Sequence, residues 1–341
     1  MGVVRFPWGL IKLFYPFGLT LLDAVRCFSL RHIIIDTDPG VDDALALMLA
    51  FSSPELKVEA VTTVPGNVNQ DKAHRNALKL LEFLGVEDIP VARGAERPLL
   101  RKMRDAEDVH GETGLGNAIL PEPKLKSDPR GAVELILEKA DALGKRLIIV
   151  PIGPLTNIAS SILAEPKLPK MIGGLVMMGG SFGLTPYGVG NVSAVAEFNV
   201  WHDPEAASIV FNSGAPIVAA GLDVTTYPDY RLSLARFEEM IKKGTRRAKL
   251  VDSLCRSMAE RSNGFSLHDP MAMSYTIDPT IFKTEKHRVD VETKGELTQG
   301  MTVIDRRPLH RAQAEANAEV IVSVDAPRFL GLVTRRVLGE G

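Results

Sequence analysis

The sequence has little cysteine and no run of basic residues. Its two cysteines, Cys27 and Cys255, belong to no Cys-x-x-Cys pair and no cysteine–histidine cluster, which argues against a zinc site or a thioredoxin-like redox pair. Lysine and arginine number 40 against 42 acidic residues, so the formal charge is −2. Because nucleic-acid-binding proteins present a basic surface, no nucleic-acid partner is expected.

Long hydrophobic runs are also missing. The aromatic-rich residues 1–30 are interrupted by Lys12, Pro16 and Asp23, and the segment is too short and broken to span a bilayer. It is a poor secretory signal, because its apolar part contains a lysine and no Ala-x-Ala-like cleavage site follows. We expect an N-terminal extension outside the core fold, with packing on the body or on a neighbouring subunit as the alternative. A cytoplasmic location is expected, and secretion is weakly supported.

The 341-residue chain is 45% hydrophobic, and the 311 positions after residue 30 can bury a core without a disulfide or structural metal. From residue 31 onward, short β-branched runs alternate with segments of helical period, which predicts an α/β domain with a mostly parallel central sheet flanked by helices. Strands are expected at 32–35, 58–64, 147–152, 174–178 and 216–222. Helices are expected at 44–52, 73–84, 130–143, 155–164, 203–213, within 233–262 and from Asp269.

The C-terminal third is expected to add a small antiparallel β appendix, formed by the β-rich runs at 288–293, 301–304 and 318–324. No linker, repeat or low-complexity tract interrupts the chain. A single domain is therefore expected over residues 31–338.

An acidic cluster follows the first strand of this domain. The segment Asp36-Thr37-Asp38-Pro39-Gly40-Val41-Asp42-Asp43 has four carboxylates within eight residues. Such close negative charges repel one another unless a cation lies between them, and their oxygens suit Ca²⁺ or Mg²⁺. The cluster therefore predicts a divalent metal site, with Gly40 permitting a tight reversal. A helix cap by Asp42 or Asp43 is the alternative, but a cap requires one acid rather than four.

Two other acidic motifs match this segment less well. An EF-hand loop counted from Asp36 requires Gly at its sixth position and Glu at its twelfth, where this chain has Val41 and Leu47. A Mg²⁺-dependent phosphatase of the haloacid-dehalogenase type would use Asp36 as nucleophile, but it expects Thr or Val at Gly40. This phosphatase stays open as the alternative enzyme.

The acidic segment resembles the N-terminal signature of the inosine-uridine preferring nucleoside hydrolases. Further motifs of that family follow in order: Thr62-Thr63-Val64 with Gly66-Asn67, Val109-His110-Gly111, Gly153-Pro154-Leu155-Thr156-Asn157, Met178-Gly179-Gly180, Asn191 with Glu197-Phe198-Asn199, and His268-Asp269-Pro270. Each motif alone is weak, but the ordered combination over about residues 31–330 is specific. The resemblance implies Ca²⁺-dependent hydrolysis of ribonucleosides to ribose and free nucleobase, by a homodimer or homotetramer.

The resemblance also implies roles for individual residues. One Ca²⁺ per subunit would be held by Asp38, Asp43, Asp269 and the backbone carbonyl of Ile152. Asp38, Asn67 and His268 would be catalytic, with Asp38 as the base for water and His268 as the acid for the leaving base, because imidazole titrates near neutral pH. The substrate would be bound by Asp42, Asn67, His110, Met178, Asn191, Glu197, Asn199 and Asp269.

Several assignments keep an alternative. Asp269-Pro270 also fits a helix start with Asp as the cap, as is expected at Asp203-Pro204, and His110 fits an exposed loop equally well. The run before His268 lacks the tyrosine frequent in the family. The candidates for the base pocket are therefore Phe265, Arg256 and Glu260, and the preference for purine or pyrimidine stays open. A calcium-dependent nucleoside-binding protein without turnover is a further alternative.

Overall fold

The computed structural model describes residues 30–307 and 315–340, together with two short strands near the N-terminus. These strands, Gly2–Phe6 (β1) and Gly9–Leu13 (β2), pair antiparallel with each other. The rest of residues 1–29 lies outside the described part of the chain. The N-terminal extension therefore stays a prediction.

An eight-stranded sheet forms the centre of the domain. Its strands are Arg31–Thr37 (β3), Leu56–Thr63 (β4), Val91–Arg93 (β5), Leu147–Pro151 (β6), Gly174–Met178 (β7), Ile217–Ala220 (β8), Phe282–His287 (β11) and Ala318–Val324 (β14). Their order across the sheet is β11-β14-β8-β7-β6-β3-β4-β5. All neighbours run parallel except β11, which is antiparallel to β14. The predicted mostly parallel sheet is confirmed.

Two further pairs of short strands lie outside this sheet. They are Leu232–Ser233 (β9) with Gly264–Phe265 (β10), and Val289–Val291 (β12) with Thr302–Ile304 (β13). The second pair confirms the antiparallel appendix. Placing residues 318–324 in that appendix is wrong, since β14 joins the main sheet parallel to β8. Val320 and Ile321 of this strand are fully buried. The strand is therefore covered on both of its faces, as strands of a parallel sheet are.

Helices flank the sheet. They are Val41–Phe51 (α1), Gln70–Leu84 (α2), Glu107–His110 (α3), Ala132–Leu143 (α4), Thr156–Ala164 (α5), Leu168–Met171 (α6), Phe198–His202 (α7), Pro204–Phe211 (α8), Leu222–Thr225 (α9), Leu234–Ile241 (α10), Arg246–Arg261 (α11), His268–Ile277 (α12) and Ala326–Val337 (α13), with 3₁₀ turns at Gly144–Arg146, Pro228–Tyr230 and Pro279–Ile281. Within the described ranges, none of these helices has the length and apolar character that crossing a membrane requires.

Both faces of the sheet are covered by apolar layers. Along β3, Ile33 and Ile35 belong to one hydrophobic core, while Ile34 belongs to the other. Alternate side chains of a strand point to opposite faces, so a continuous isoleucine run is the expected sequence for a strand buried on both sides.

The order of the strands opens a crevice beside β3. From β3 the chain continues through β4 and β5 on one side, and β6, β7 and β8 then lie on the other side. Connections that diverge in this way leave a gap at the carboxyl ends of the two central strands. The register pairs Asp36 with Pro151, so the residues that follow, including Asp38 and Ile152, emerge side by side.

Candidate active site

A cleft of about 500 Å³ opens at the carboxyl ends of the central strands. Its walls include ten of the residues predicted for the site: Asp42, Asn67, His110, Ile152, Met178, Asn191, Glu197, Asn199, His268 and Asp269. The other two, Asp38 and Asp43, are fully buried. They contact the cleft through Asn67, which bonds to both.

Asp43 fixes the turn between β3 and α1. Its carboxylate accepts hydrogen bonds from the Thr37 hydroxyl (2.5 Å), the Gly40 N–H (3.0 Å) and the Asn67 side-chain amide (2.9 Å). The bond from Gly40 is a helix-capping contact, so Asp43 caps α1 as well as joining the cluster. Gly40 has φ −99°, which any residue adopts. Glycine is needed for space, because a Cβ there would lie 2.6 Å from Asn67 Nδ2 and 2.7 Å from His110 Nδ1.

Three carboxylates come together at the cleft floor. Asp42, Asp43 and Asp269 each offer an oxygen, and these oxygens lie within 4.8 Å of one another. Beside them, Asp38 Oδ2 accepts the Asn67 N–H at 2.6 Å, whereas its buried Oδ1 has no hydrogen-bond partner among the described residues. A buried oxygen without a partner is costly, and an all-oxygen anionic set suits a hard divalent cation. These residues therefore fit a metal ion.

Burial and mutual repulsion both disfavour the charged forms of these acids. Burial raises the pKa of Asp38 well above its ordinary value, and the neighbouring Asp43 carboxylate raises it further. Burial and the Asp42 carboxylate likewise raise the pKa of Asp43 and of Asp269. A cation among them would offset both effects, since it stabilises the ionised carboxylates.

Glu197 and the short helix α7 form a polar wall of the cleft. The Glu197 carboxylate is buried and accepts hydrogen bonds from the backbone N–H groups of Gly180 (2.9 Å), Asn199 (2.9 Å) and Val200 (3.1 Å). Burial raises the pKa of Glu197, and these three bonds oppose the shift. Residues two apart point the same way in an extended stretch, which is what the sequence predicts for Glu197 and Asn199. This prediction is wrong, because Glu197 caps α7 and Asn199 lies in its first turn. Both residues nevertheless line the cleft.

Asn199 ties this wall to two strand ends. Its Nδ2 donates to the Ile152 carbonyl at 2.9 Å and to the Met178 carbonyl at 3.3 Å. Asn191 adds a second anchor, because its Oδ1 accepts the N–H of Phe198 at 3.0 Å. The wall is thus held rigidly by bonds to the ends of β6 and β7.

Two histidines face the same cleft. His110 is only 9% exposed, so the exposed-loop alternative is wrong. Its Nδ1 lies 3.1 Å from the Val41 N–H; since an N–H can only donate, Nδ1 carries no proton and the neutral ring has its proton on Nε2. His268 Nδ1 lies 2.8 Å from the Thr225 hydroxyl. Burial lowers the pKa of His268, and the Asp42 carboxylate opposes that shift.

Comparison with known families agrees with this arrangement of residues. The family model for "inosine-uridine preferring nucleoside hydrolase" matches residues 33–331. The chain belongs to this family. The pyrimidine-specific ribonucleoside hydrolase RihA of Salmonella paratyphi C (strain RKS4594) is 43% identical over an alignment of 310 residues that covers 89% of this chain and 97% of the relative. The predicted family and its enzyme class, hydrolases of N-glycosyl compounds, are confirmed.

Solved structures of nucleoside hydrolases share the fold. The plant nucleoside hydrolase PpNRh1 superposes with a TM-score of 0.82 at 32% identity, over 90% of this chain and 99% of that one. The purine-preferring ribonucleoside hydrolase from Gardnerella vaginalis also gives a TM-score of 0.82 at 32% identity, over 91% of this chain and 99% of that one. The predicted single α/β domain is the fold of these enzymes.

Asp36 lies behind the cleft of the nucleoside hydrolase rather than in it. It is fully buried, and its Oδ1 accepts hydrogen bonds from the Thr62 hydroxyl (2.5 Å) and the Asn157 amide (2.8 Å). A nucleophile must be reachable by the substrate. The geometry therefore disfavours the phosphatase alternative, which required attack by Asp36.

Asp203, expected to be only a cap, does cap α8 by accepting the Ala206 N–H at 3.1 Å.

Of the three residues predicted for the base pocket, one lines the cleft and two do not. Phe265 lines the cleft. Arg256 and Glu260 do not, because Arg256 pairs with Glu260 at 3.5 Å and with Glu238 and Asp252 on the outer face of α10 and α11. This part of the prediction is wrong.

The site residues that the sequence did not predict include Arg231 and Thr225. Arg231 lines the cleft, and Thr225 contacts His268 from the short helix α9. Neither has a local signal that separates it from an ordinary loop residue. Both reach the site only through the pairing of β9 with β10 and the position of α9 after β8.

Proposed function

We propose that this nucleoside hydrolase cleaves the N-glycosidic bond of ribonucleosides with the help of Ca²⁺, releasing ribose and the free base. The observation that supports this most directly is the presence of Asp42, Asp269 and two histidines in one cleft, above the buried Asp38 and Asp43. Glycosidic cleavage passes through a positively charged, oxocarbenium-like sugar. The acidic floor of the cleft would stabilise the positively charged sugar, and the N–H donors above it would assist departure of the base.

Asp38, Asp43, Asp269 and the Ile152 carbonyl would hold the ion. Hard oxygen ligands, one of them a neutral carbonyl, are typical of Ca²⁺ sites. When bound, Ca²⁺ would neutralise the clustered acids, orient the sugar diol and acidify a coordinated water. Asp38 would then accept the proton of that water, because its Oδ1 has no other partner among the described residues.

The polar side chains around the floor would bind the sugar. We refer to this part of the cleft, formed by Asp42, Asn67, Glu197 and Asn199, as the ribose end. Asp42 and Asn67 would bind the 2′-hydroxyl, Asp269 and Asn199 the 3′-hydroxyl, and Asn191 and Glu197 the 5′-hydroxyl, with Met178 packed against the ring. Acceptors held by backbone bonds, as Glu197 is, need little reorganisation when substrate binds.

His110, Arg231, Phe265 and His268 form the base end of the cleft. His110 would offer its Nε2–H to the base, because Val41 occupies its Nδ1. Burial lowers the pKa of His268, so an imidazolium formed there would readily pass its proton to the leaving base and return to the neutral ring.

Among bases, we favour pyrimidines. The relative at 43% identity is named pyrimidine-specific, while the purine-preferring enzyme is 32% identical to this chain. A homodimer or homotetramer and a cytoplasmic role in nucleoside salvage complete the proposal; both rest on similarity to the family.

Release of ribose tests the proposal. The protein is incubated with uridine, cytidine, inosine and adenosine in the presence of Ca²⁺, and reducing sugar and free base are measured. We expect equal amounts of ribose and base, formed fastest from uridine and cytidine. Absence of ribose from all four would reject the hydrolase. Tight nucleoside binding without ribose release would favour the calcium-dependent binding protein instead.

A further inference from the structure

An arginine without an ionic partner lines the base end of the cleft. Arg231 borders the cleft, yet no carboxylate lies within salt-bridge distance of it in the described part of the chain. Acidic residues dominate the remaining charged lining: Asp42, Asp105, Asp108, Glu197 and Asp269. A cation in such a cleft that forms no ion pair is available to a ligand.

The position of this guanidinium is fixed by backbone contacts. Arg231 Nη2 donates to the carbonyls of Ser262 (3.2 Å) and Gly264 (2.9 Å). The next residue, Leu232, pairs with Phe265 in the short ladder of β9 and β10. A guanidinium has five N–H groups. Those on Nη2 are engaged here, and those on Nε and Nη1 find no acceptor within the described ranges.

The same segment leads directly to His268. Gly264, Phe265, Ser266 and His268 all line the cleft, and Arg231 bonds to Gly264, so Arg231 and His268 belong to one wall. Arg231 therefore lies where the base, rather than the ribose, would be bound.

We propose that Arg231 recognises a ring carbonyl of the nucleobase and stabilises the negative charge that develops there as the glycosidic bond breaks. This inference rests on the proposed function. In hydrolysis, the C1′–N electron pair leaves with the base, the hydroxyl of water adds to C1′, and the remaining proton of water ends on the base. Arg231 gives up no proton. In a leaving pyrimidine, the charge spreads onto the carbonyl oxygen, where charge-assisted hydrogen bonds are strong.

This role defines a substrate class. Uracil, cytosine and hypoxanthine have a ring carbonyl, whereas adenine has none. Arg231 would therefore favour nucleosides of oxo-bases over adenosine. A phosphorylated nucleoside is the less suitable ligand, because its 5′-phosphate would lie at the ribose end beside Glu197.

Turnover of matched substrates tests the role. We expect Arg231→Met to lower kcat/KM for uridine by about 10- to 100-fold, the usual cost of losing a charged hydrogen bond, and to lower it for adenosine by less than about threefold. Arg231→Lys should give an intermediate loss, because lysine keeps the charge without the planar fork. Arg236→Met, an exposed arginine of α10 outside the cleft lining, is the matched control and should change neither value.

Equal losses for uridine and adenosine would mean that Arg231 only supports the fold of the wall, and would overturn the inference. Binding of free uracil and adenine by calorimetry gives a readout without turnover. Arg231→Met should weaken uracil about tenfold and leave adenine unchanged, and unchanged uracil affinity would contradict base recognition. An inactive wild type that still shows the uracil effect would reject the proposed hydrolysis but support the recognition role.

Discussion

The hydroxyl of Thr225 sets the orientation of the His268 ring. Thr225 is fully buried, and its Oγ1 lies 2.8 Å from His268 Nδ1. This contact occupies Nδ1, which leaves Nε2 as the nitrogen that would pass a proton to the leaving base. Thr225 is thus a positioning residue for the predicted acid.

We expect Thr225→Val to lower kcat for uridine by about tenfold or more with little change in KM, because the ring loses its orienting bond while the sugar contacts persist. Thr225→Ser restores the hydroxyl and should recover most of the rate. A nitrophenyl riboside, whose leaving group needs no proton, should respond little to either change. An equal loss for both substrates would argue against this role.

Single residues were predictable where a contiguous motif carries them. Asp38, Asp42 and Asp43 are recognisable because four acids crowd one strand–helix junction. Arg231 was not predictable, because its place in the cleft depends on a two-residue strand pair far from any motif. The prediction for Arg256 was wrong because the sequence shows a charged residue close to the motif but does not show its partners. These partners are three carboxylates on the outer surface.

At the scale of elements, the loops that follow β4 and β6 must pass very close to Asp38. A Cβ at Gly153 would lie 2.5 Å from Asp38 Oδ1, and one at Gly66 would lie 2.1 Å from Asp38 Oδ2. Real Cβ atoms do not approach an oxygen so closely. Glycine at both positions therefore lets two loops enclose one carboxylate from either side.

Gly153→Ala is expected to displace the Asp38 carboxylate and to lower kcat/KM for uridine by about 100-fold or more, since a shift of about 1 Å in a catalytic group has this effect. Metal affinity should fall as well. The control is Gly331→Ala in α13, where a Cβ would meet nothing within 4 Å; it should leave activity unchanged and slightly favour the helix. Full activity of Gly153→Ala would refute the proposed crowding around Asp38.

Most of the elements follow from sequence pattern. The isoleucine run of β3 predicts a strand buried on both faces, and the apolar repeat of α2 ends at Gly85, which has the expected positive φ of 74°. The role of β14 was not predictable from its own residues. An apolar β-branched run suits either an appendix or a central sheet, and only the free edge of β8 decides between them.

For the whole molecule, buried acids link stability to pH. Burial raises the pKa of Asp36 from 3.8 to about 7. Between these two values the folded state keeps a proton that the unfolded state has lost, so stability falls as pH rises, by at most about 1.4 kcal/mol per pH unit from this group. Above the folded pKa the loss is complete and the contribution is flat.

We expect Asp36→Asn to reduce the fall in unfolding free energy between pH 5 and about pH 7, as measured by denaturant titration. The asparagine cannot ionise, so it avoids the cost of a buried charge. Activity should persist, because Asp36 lies outside the cleft. A pH dependence as steep as that of the wild type would show that Asp36 is already charged at pH 5.

The arrangement of the whole domain was largely predictable, because alternating strands and helices restrict the chain to few topologies. The oligomeric state was not, since no sequence pattern marks a subunit interface; the homodimer or homotetramer stays a prediction that light scattering after gel filtration would check. That residues 1–30 form an extension outside the core fold likewise stays a prediction.

The central claim is that the acidic cleft floor holds a divalent ion that hydrolysis requires. The most direct test measures uridine hydrolysis after thorough removal of metal by a calcium-preferring chelator, and again after Ca²⁺ is restored. We predict loss of activity and full recovery in the wild type, with no recovery in Asp43→Ala. Unchanged ribose release from the metal-free protein would contradict the account.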